Sequence, residues 1–382
     1  MTTMNPAAAR IEEIRTNSLR GSALSADGGS AISLAIGEPS FATPECVVEA
    51  QAQALAEGMT HYAVQTGAPD LVKAILAHAV PPSSPLCDTR NVLVTHGGTA
   101  GLSSTILGLI DPGDVVLIEN PTYSLYADAI RLAGGTIRGF GRRPDGGLDL
   151  GEIRKLAVSA KMIILCQPSN PMGTVVGAEE WQELSEIAGA CDLLVLSDEA
   201  YDGIVFDGCE FVSALAVPGL ADRLIVSRTF SKKYAMTGWR VGYLVGTAEL
   251  VAAASTAHRT FNGAVNTANQ YAAIAALERA AGEAEAMRRE FQERRALMVS
   301  CLRDKGPVDF SVPSGAFYLW VKYPEHFGPS QTVAAKCLAS GVRVRPGSEF
   351  GTGGTYRLRL SFAPDRESIV EGCRRFLSVF ET

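Results

Sequence analysis

From Asn91 onward, short runs of apolar and β-branched residues alternate with longer stretches whose apolar positions recur at helical spacing. That alternation predicts an α/β fold built from βαβ units, with a mostly parallel central sheet flanked by helices. Val92 to Thr95 predicts the first strand and Ala100 to Ile110 the helix after it; Val115 to Ile118, Met162 to Cys166, Leu193 to Ser197 and Leu224 to Val226 predict further strands. The run through Leu193, Leu194, Val195 and Leu196 is apolar without a break, as a strand buried on both faces requires. Ahead of this region, the pattern predicts a short helix over Ile11 to Leu19, a strand over Ile32 to Ile36 and a helix from Pro44 to about Glu57. The polar, Ser/Gly-rich remainder of the first thirty residues is expected to wrap over another part of the molecule. After the alternating region, Gln270 to about Lys305 reads as two successive helices, and a domain boundary is placed near residue 285. A smaller α+β part follows: a strand near Gly315 to Trp320, a helix over Gln331 to Ser340, a strand at Val342 to Val344, and a last helix from Asp365. Between the last two, Tyr356 to Phe362 alternates with period two, which places Arg357 and Arg359 on one face without choosing between them.

The polar residues that interest a chemist stand at the ends of these strands, where open α/β sheets bind ligands. The first strand runs into His96-Gly97-Gly98-Thr99, a turn whose N–H groups and following helix suit an anion such as phosphate. The next delivers Tyr123 after Asn120-Pro121-Thr122, and the third delivers Asn170 between two prolines, a rigid setting for an amide. Asp198 closes the continuous apolar strand, where a carboxylate is costly unless it meets a cation; Tyr201 is three residues on. The last strand leads into hydroxyls at Ser227, Thr229 and Ser231, then Lys232, then a turn ending in Arg240. Partial burial and nearby positive charge lower a lysine's pKa, and the free amine forms a Schiff base with an aldehyde. Arg240 and the hydroxyls suit a phosphate on the same ligand. Pyridoxal phosphate carries both groups.

Composition narrows the classes further. A chain of 382 residues with 47% hydrophobic content supports one large or two medium domains with real cores. A net charge of −7 argues against a nucleic-acid surface. The 8 cysteines are scattered with no C-x-x-C, which argues against a metal site or a disulfide framework and fits a reducing cytoplasm. Neither a leader-like N-terminus nor a stretch of transmembrane length is evident, so a soluble cytoplasmic protein with no membrane partner is expected.

The string S-R-T-F-S-K-K-Y-A-M-T-G-W-R-V-G-Y, from Ser227 to Tyr243, resembles the lysine segment of the class I/II aminotransferases, pyridoxal-phosphate enzymes of fold type I. The resemblance runs from about residue 30 to the C-terminus and selects Lys232 over Lys233 as the Schiff-base lysine. It implies that the backbone at Gly98, Thr99 and Ala100, with Thr229, Ser231 and Arg240, holds the phosphate. By the same likeness Tyr123 stacks on the cofactor ring, Asp198 keeps the ring nitrogen protonated, and Asn170 and Tyr201 bond its phenolic oxygen. Asn170-Pro171-Met172-Gly173 departs from the family's N-P-x-G usage at Met172, commonly Thr. The likeness also implies that Arg359, in R-[LIV]-S-F-A, grips the substrate α-carboxylate near Gly37 and Asn170. It further implies that residues 1–44 contribute to the small domain (286–382) beside a large domain (45–285), and that Tyr62 reaches a partner's phosphate across a homodimer interface. The activity implied is transfer of an amino group between an L-amino acid and a 2-oxo acid, with 2-oxoglutarate and glutamate as one pair. Arg259 occupies roughly the place where one subgroup presents an arginine to a distal carboxylate.

Other readings stay open at this stage. The same machinery serves a lyase or cyclase. Gly97-Gly98 and Gly101, with Glu119 about twenty residues on, loosely imitate the fingerprint of a nicotinamide dehydrogenase. A regulator would need an added DNA-binding helix pair, for which the first thirty residues offer little room.

Overall fold

Period-two alternation inside the apolar strands decides how the chain folds. The computed structural model describes residues 7–17 and 31–381. In the central strands, Ile164, Leu196 and Ile225 point into one hydrophobic core, while Ile163, Val195 and Val226 point into the other. A strand apolar on both faces needs helices on both, and the chain supplies them.

A short helix α1 (Ala9–Asn17), strand β1 (Ile32–Ser33) and helices α2 (Glu45–Ala56) and α3 (Pro69–Ala79) precede the alternating region. That region comprises β2 (Val92–Thr95), α4 (Gly97–Leu109), β3 (Val115–Glu119), α5 (Leu125–Ala133), β4 (Thr136–Phe140), α6 (Leu150–Ala157), β5 (Met162–Cys166), α7 (Ala178–Cys191) and β6 (Leu194–Asp198). It ends with β7 (Leu224–Thr229), the single turn α8 (Phe230–Lys233) and β8 (Gly242–Gly246). These strands form a 7-stranded sheet in the order β2-β8-β7-β6-β5-β3-β4. All neighbours are parallel except those of β8, which runs against both β7 and β2. The mostly parallel sheet expected from the pattern is therefore present, with one reversed strand. Its cause is local: β7 reaches β8 through α8 and a turn, without the long crossover that a parallel pairing needs.

Helices α9 (Ala248–Phe261), α10 (Thr267–Arg279) and α11 (Ala281–Leu302) follow. The boundary expected near residue 285 falls inside α11. This helix buries Phe291, Met298 and Leu302 almost completely, each contributing about 1.5–3 kcal/mol. Beyond it come β9 (Tyr318–Lys322), α12 (Ser330–Ala339), β10 (Val342–Arg343), β11 (Arg345–Pro346), β12 (Arg357–Ser361) and α13 (Arg366–Ser378). A 3-stranded antiparallel sheet, β11-β12-β9, packs against α12 and shares one hydrophobic core with α11 and α13, while β10 takes β1 as a parallel partner.

Two expectations are corrected. The strand expected over Ile32 to Ile36 stops at Ser33, although Leu34 still bonds Arg343 and Ser361 on either side (2.8 and 2.7 Å); the chain then leaves the sheet so that Ala35 to Gly37 line a cavity. The helix expected from Ala100 begins at Gly97, because burial of Gly97 and Gly101 against the sheet outweighs the poor helix propensity of glycine. Of the expected helix Ile11 to Leu19, α1 covers the part up to Asn17 and packs against α5; Ser18 and Leu19 lie outside the described residues. Among the described residues no helix is long and apolar enough to cross a membrane.

Candidate active site

A cavity of about 270 Å³ opens at the carboxyl ends of the parallel strands, where a reversal of strand order leaves a crevice between loops. Its floor is built from the ends of the large sheet: Gly98 and Thr99 after β2, Tyr123 after β3, Cys166 and Asn170 at β5, Asp198 and Tyr201 at β6, and Thr229, Ser231 and Lys232 at β7. Arg240 closes one end. The opposite wall comes from the other part of the chain, with Ala35 to Gly37, Tyr318, Arg345 and Arg359.

Lys232 and Lys233 are adjacent in sequence and separated by structure. Because α8 is a single turn, its two lysines project to different sides. Lys232 lines the cavity and its Nζ donates to the carbonyl of Gly37 at 2.6 Å. Lys233 turns away to Asp202, 3.3 Å distant. Burial lowers the Lys232 pKa to about 8; the Arg240 and Arg359 charges push the same way and Glu38 opposes them. A free amine is thus accessible near neutral pH.

Gly98 and Thr99 sit in the first turn of α4, whose N–H groups have no intrahelical acceptor and which no side chain caps. Opposite them the Oγ atoms of Thr229 and Ser231 lie 2.9 Å apart. Arg240 has a left-handed backbone (φ 56), a conformation costing a non-glycine residue about 1–3 kcal/mol. That backbone brings its guanidinium so close to Gly97 that a Cβ there would stand 2.8 Å from Nη2. Only glycine leaves the arginine room. Ala100, one residue further along α4, is not on the cavity wall.

At the other end of the floor, Asp198 is almost wholly buried and accepts from the Tyr126 hydroxyl at 2.6 Å and from the Ala200 N–H at 3.2 Å. Burial raises its pKa to about 6 against the pull of these two donors. The site therefore suits a carboxylate with a cation beside it. Tyr201 faces the cavity, and its hydroxyl is 2.9 Å from that of Tyr318.

Arg359 is buried, with Nη1 donating to Asn170 Oδ1 at 3.0 Å and Nη2 to the Ala35 carbonyl at 2.6 Å. Its guanidinium stacks 4.0 Å over the Tyr318 ring, and its Nε is buried with no hydrogen-bond partner. Arg357, two residues earlier on the same strand, is absent from the cavity. Gly37 is sterically required: a Cβ there would meet the Tyr318 hydroxyl at 1.9 Å.

Two residues singled out from the sequence lie elsewhere. Tyr62 is 99% exposed. Arg259, in the last turn of α9, borders a different cavity with Val64, Thr66 and Thr256. Conversely, the sequence reading passed over Tyr126, Tyr318 and Arg345. Tyr126 follows Tyr123 by three residues, and that spacing was the available signal.

The floor thus offers an amine, an anion cradle, a stacking aromatic and a buried carboxylate, and Asp198 and the Gly97–Arg240 packing fit a phosphorylated, protonated pyridine aldehyde. Fold and site together define a pyridoxal-phosphate-dependent transferase of fold type I. The model of the family "Aminotransferase class I and II" matches residues 30–376. The aspartate aminotransferase of Streptomyces avermitilis is 34% identical over 374 residues, covering 93% of this chain and 90% of the relative. The arginine–pyruvate transaminase of Pseudomonas aeruginosa is 33% identical over 346 residues, 90% of this chain and 88% of the relative. The structure of Thermus thermophilus aspartate aminotransferase with maleate superposes with a TM-score of 0.88 at 28% identity, over 98% of this chain and 100% of that one. The chain belongs to the class I and II aminotransferases, and it is an amino-acid transaminase that works with pyridoxal phosphate.

Proposed function

We propose that the enzyme moves an amino group between an L-amino acid and a 2-oxo acid, with 2-oxoglutarate and glutamate as one partner pair, and that the cavity residues divide the work as follows. Bound pyridoxal phosphate supplies an aldehyde to hold the amino group and a protonated ring to accept electrons from the substrate Cα. Lys232 would hold the aldehyde, and its Nζ, when free, would take the substrate's Cα proton and deliver it back. Its lowered pKa supports both tasks. Asp198 keeps the ring nitrogen protonated, and Asn170 and Tyr201 direct hydrogen bonds to the phenolic oxygen. The first turn of α4 at Gly98 and Thr99, with Thr229, Ser231 and Arg240, binds the phosphate. Tyr123 stacks on the ring. Arg359 takes the α-carboxylate in a two-pronged grip beside Gly37 and Asn170.

The observation that carries this reading is the placement of Lys232 Nζ, Asp198 and Arg359 around one cavity, with Lys233 outside it. A dicarboxylate as one partner is supported by the aspartate enzyme among the relatives and by the maleate in the Thermus thermophilus structure. We further propose that residues 1–44 join 286–382 in a small domain beside the large one (45–285), that two copies form a homodimer with shared sites through Tyr62, and that the enzyme is cytoplasmic. The functional test is a screen of amino donors against 2-oxoglutarate and pyruvate, following stoichiometric formation of the new amino acid. Formation of glutamate or alanine at the donor's expense is expected; ammonia release without a new amino acid would point to elimination chemistry and overturn the reading.

A further inference from the structure

Strand β11 pairs antiparallel with β12, and the register sets Arg345 directly opposite Arg359. Residues opposed in this way project on the same face, with Cβ atoms about 4.5–5.5 Å apart. Both side chains reach the substrate cavity. Like charges so placed repel unless anions are interposed. Arg359 has the Asn170 and Ala35 oxygens around it, and Arg345 forms a 2.6 Å ion pair with Glu349, four residues further along the chain. Glu349 itself is not on the cavity wall. The wall carries four cations, Lys232, Arg240, Arg345 and Arg359, and one carboxylate, Asp198. In the proposed reaction Lys232 handles the amino group and a proton, Arg240 the phosphate and Arg359 the α-carboxylate, which leaves Arg345 without a task.

We infer that Arg345 is a specificity-determining residue that receives the distal carboxylate of a dicarboxylic amino acid or 2-oxo acid, in competition with Glu349. The assignment rests on the aminotransferase reading above and names its substrate class. Two carboxylates joined by a short carbon chain match two guanidiniums on adjacent strands, whose spacing is about 5 Å. Each guanidinium presents a planar fork that suits a carboxylate in two parallel hydrogen bonds. With a neutral side chain in the cavity, Glu349 keeps Arg345 neutralised and the wall carries no unmet charge. With a distal carboxylate present, Arg345 exchanges or shares its anion. One site thereby accepts a charged and an uncharged partner in the two halves of a transamination.

The two partners are tested together, since removing Arg345 alone would change the charge balance around the buried Glu349 carboxylate. Holoenzymes of the wild type, Glu349→Gln and the double variant Arg345→Gln/Glu349→Gln are compared in single-turnover amino transfer from glutamate and from glutamine, its neutral isostere. The readout is the ratio of kcat/KM for the two donors. Glu349→Gln removes the competitor and is expected to raise the ratio severalfold. The double variant is expected to lower it by about tenfold or more, the scale of one charge-assisted hydrogen bond. If the double variant loses its cofactor absorbance, Glu349→Gln carries the test by the opposite sign. A ratio within about twofold of wild type in both variants overturns the assignment of Arg345 while leaving the aminotransferase reading intact. A wild type that transfers no amino group from either of these donors, nor from any in the wider screen, overturns both.

Discussion

The hydroxyl of Tyr126 donates to Asp198 Oδ2 across 2.6 Å, tying the start of α5 to the end of β6 beneath the cavity floor. Burial pushes the Asp198 pKa up, and this bond is the largest influence holding it down. Tyr126 thus helps Asp198 stay ionised, as the proposed pairing with a protonated ring nitrogen requires. Tyr126→Phe removes the donor and little volume. We expect the Asp198 pKa to climb further above 6 and kcat to fall about tenfold with cofactor retained, read from pH profiles and absorbance titration. An unchanged pH profile would make the bond structural only.

Asp198 itself links function to stability. Its folded pKa of about 6 lies above the 3.8 of an unperturbed aspartate. An acid with a raised folded pKa costs the fold stability above that pKa, and the cost fades as pH falls from 6 toward 4. The stability of Asp198→Asn relative to wild type, in the cofactor-free protein, should therefore improve by on the order of 2–3 kcal/mol between pH 4 and pH 8, whatever the pH-independent cost of replacing one acceptor oxygen by an amide nitrogen. With cofactor bound, the same variant should lose far more turnover than affinity, since the amide cannot hold the ring proton in the transition state. Denaturant melts across pH give the first result and single-turnover Cα proton exchange the second; near-normal exchange would assign the role to another group.

For Lys232, the expectation concerns both place and pH. Borohydride reduction of the loaded enzyme followed by peptide mapping should put the pyridoxyl group on Lys232, because Lys233 is held outside the cavity by Asp202. Capture of pyridoxal phosphate by the cofactor-free protein requires the free amine. Its rate should rise about tenfold per pH unit below 8 and level off above it, following the lowered pKa. A rate still climbing near pH 10 would indicate an ordinary, solvated lysine.

Much of the floor is legible in the sequence, and the reason is topological. In a parallel sheet the carboxyl ends of the strands lie along one edge, so Asn170, Asp198, Tyr201 and Lys232, at the ends of three strands, must face one another. The wall was harder to read. Arg357 and Arg359 share a face in any strand, and only the family likeness preferred Arg359; its burial and its contacts with Asn170 and Ala35 come from long-range pairing. Arg345 was invisible for the same reason, since it meets Arg359 through the register of β11 on β12. Tyr126 and Tyr318 look like any core tyrosine until the partners of their hydroxyls are known. Direction in the sheet was also hidden: nothing in Gly242 to Gly246 announces that β8 runs backward. At Gly97 local propensity misled, because packing against Arg240 and the sheet starts the helix three residues early.

Exposed apolar side chains point to the remaining expectation. Tyr62 and Val64 are 99% and 57% exposed, and Phe261 is 71% exposed. Val64 and Arg259 border one cavity, Phe261 borders a second, and Thr256 belongs to both, so these surfaces are continuous. The Tyr62 segment is nevertheless fixed in place: Thr267 donates to the His61 carbonyl at 2.6 Å and Tyr271 reaches Met59. A rigid apolar surface of this kind is characteristic of an interface between protein chains. In the homodimer we propose, Tyr62 belongs to one protomer and the phosphate cradle it serves to the other. Tyr62→Ala and Lys232→Ala should then each be crippled alone, for different reasons. When the two variants are mixed under conditions that let subunits exchange, half of the dimers are mixed, and each mixed dimer assembles one site with both residues native. Recovered activity should approach about one quarter of wild type, measured after exchange and normalised to total protein. Activity no higher than the sum of the two variants, or a fully active monomer in sedimentation, would remove Tyr62 from the site and leave the exposed patch to another partner.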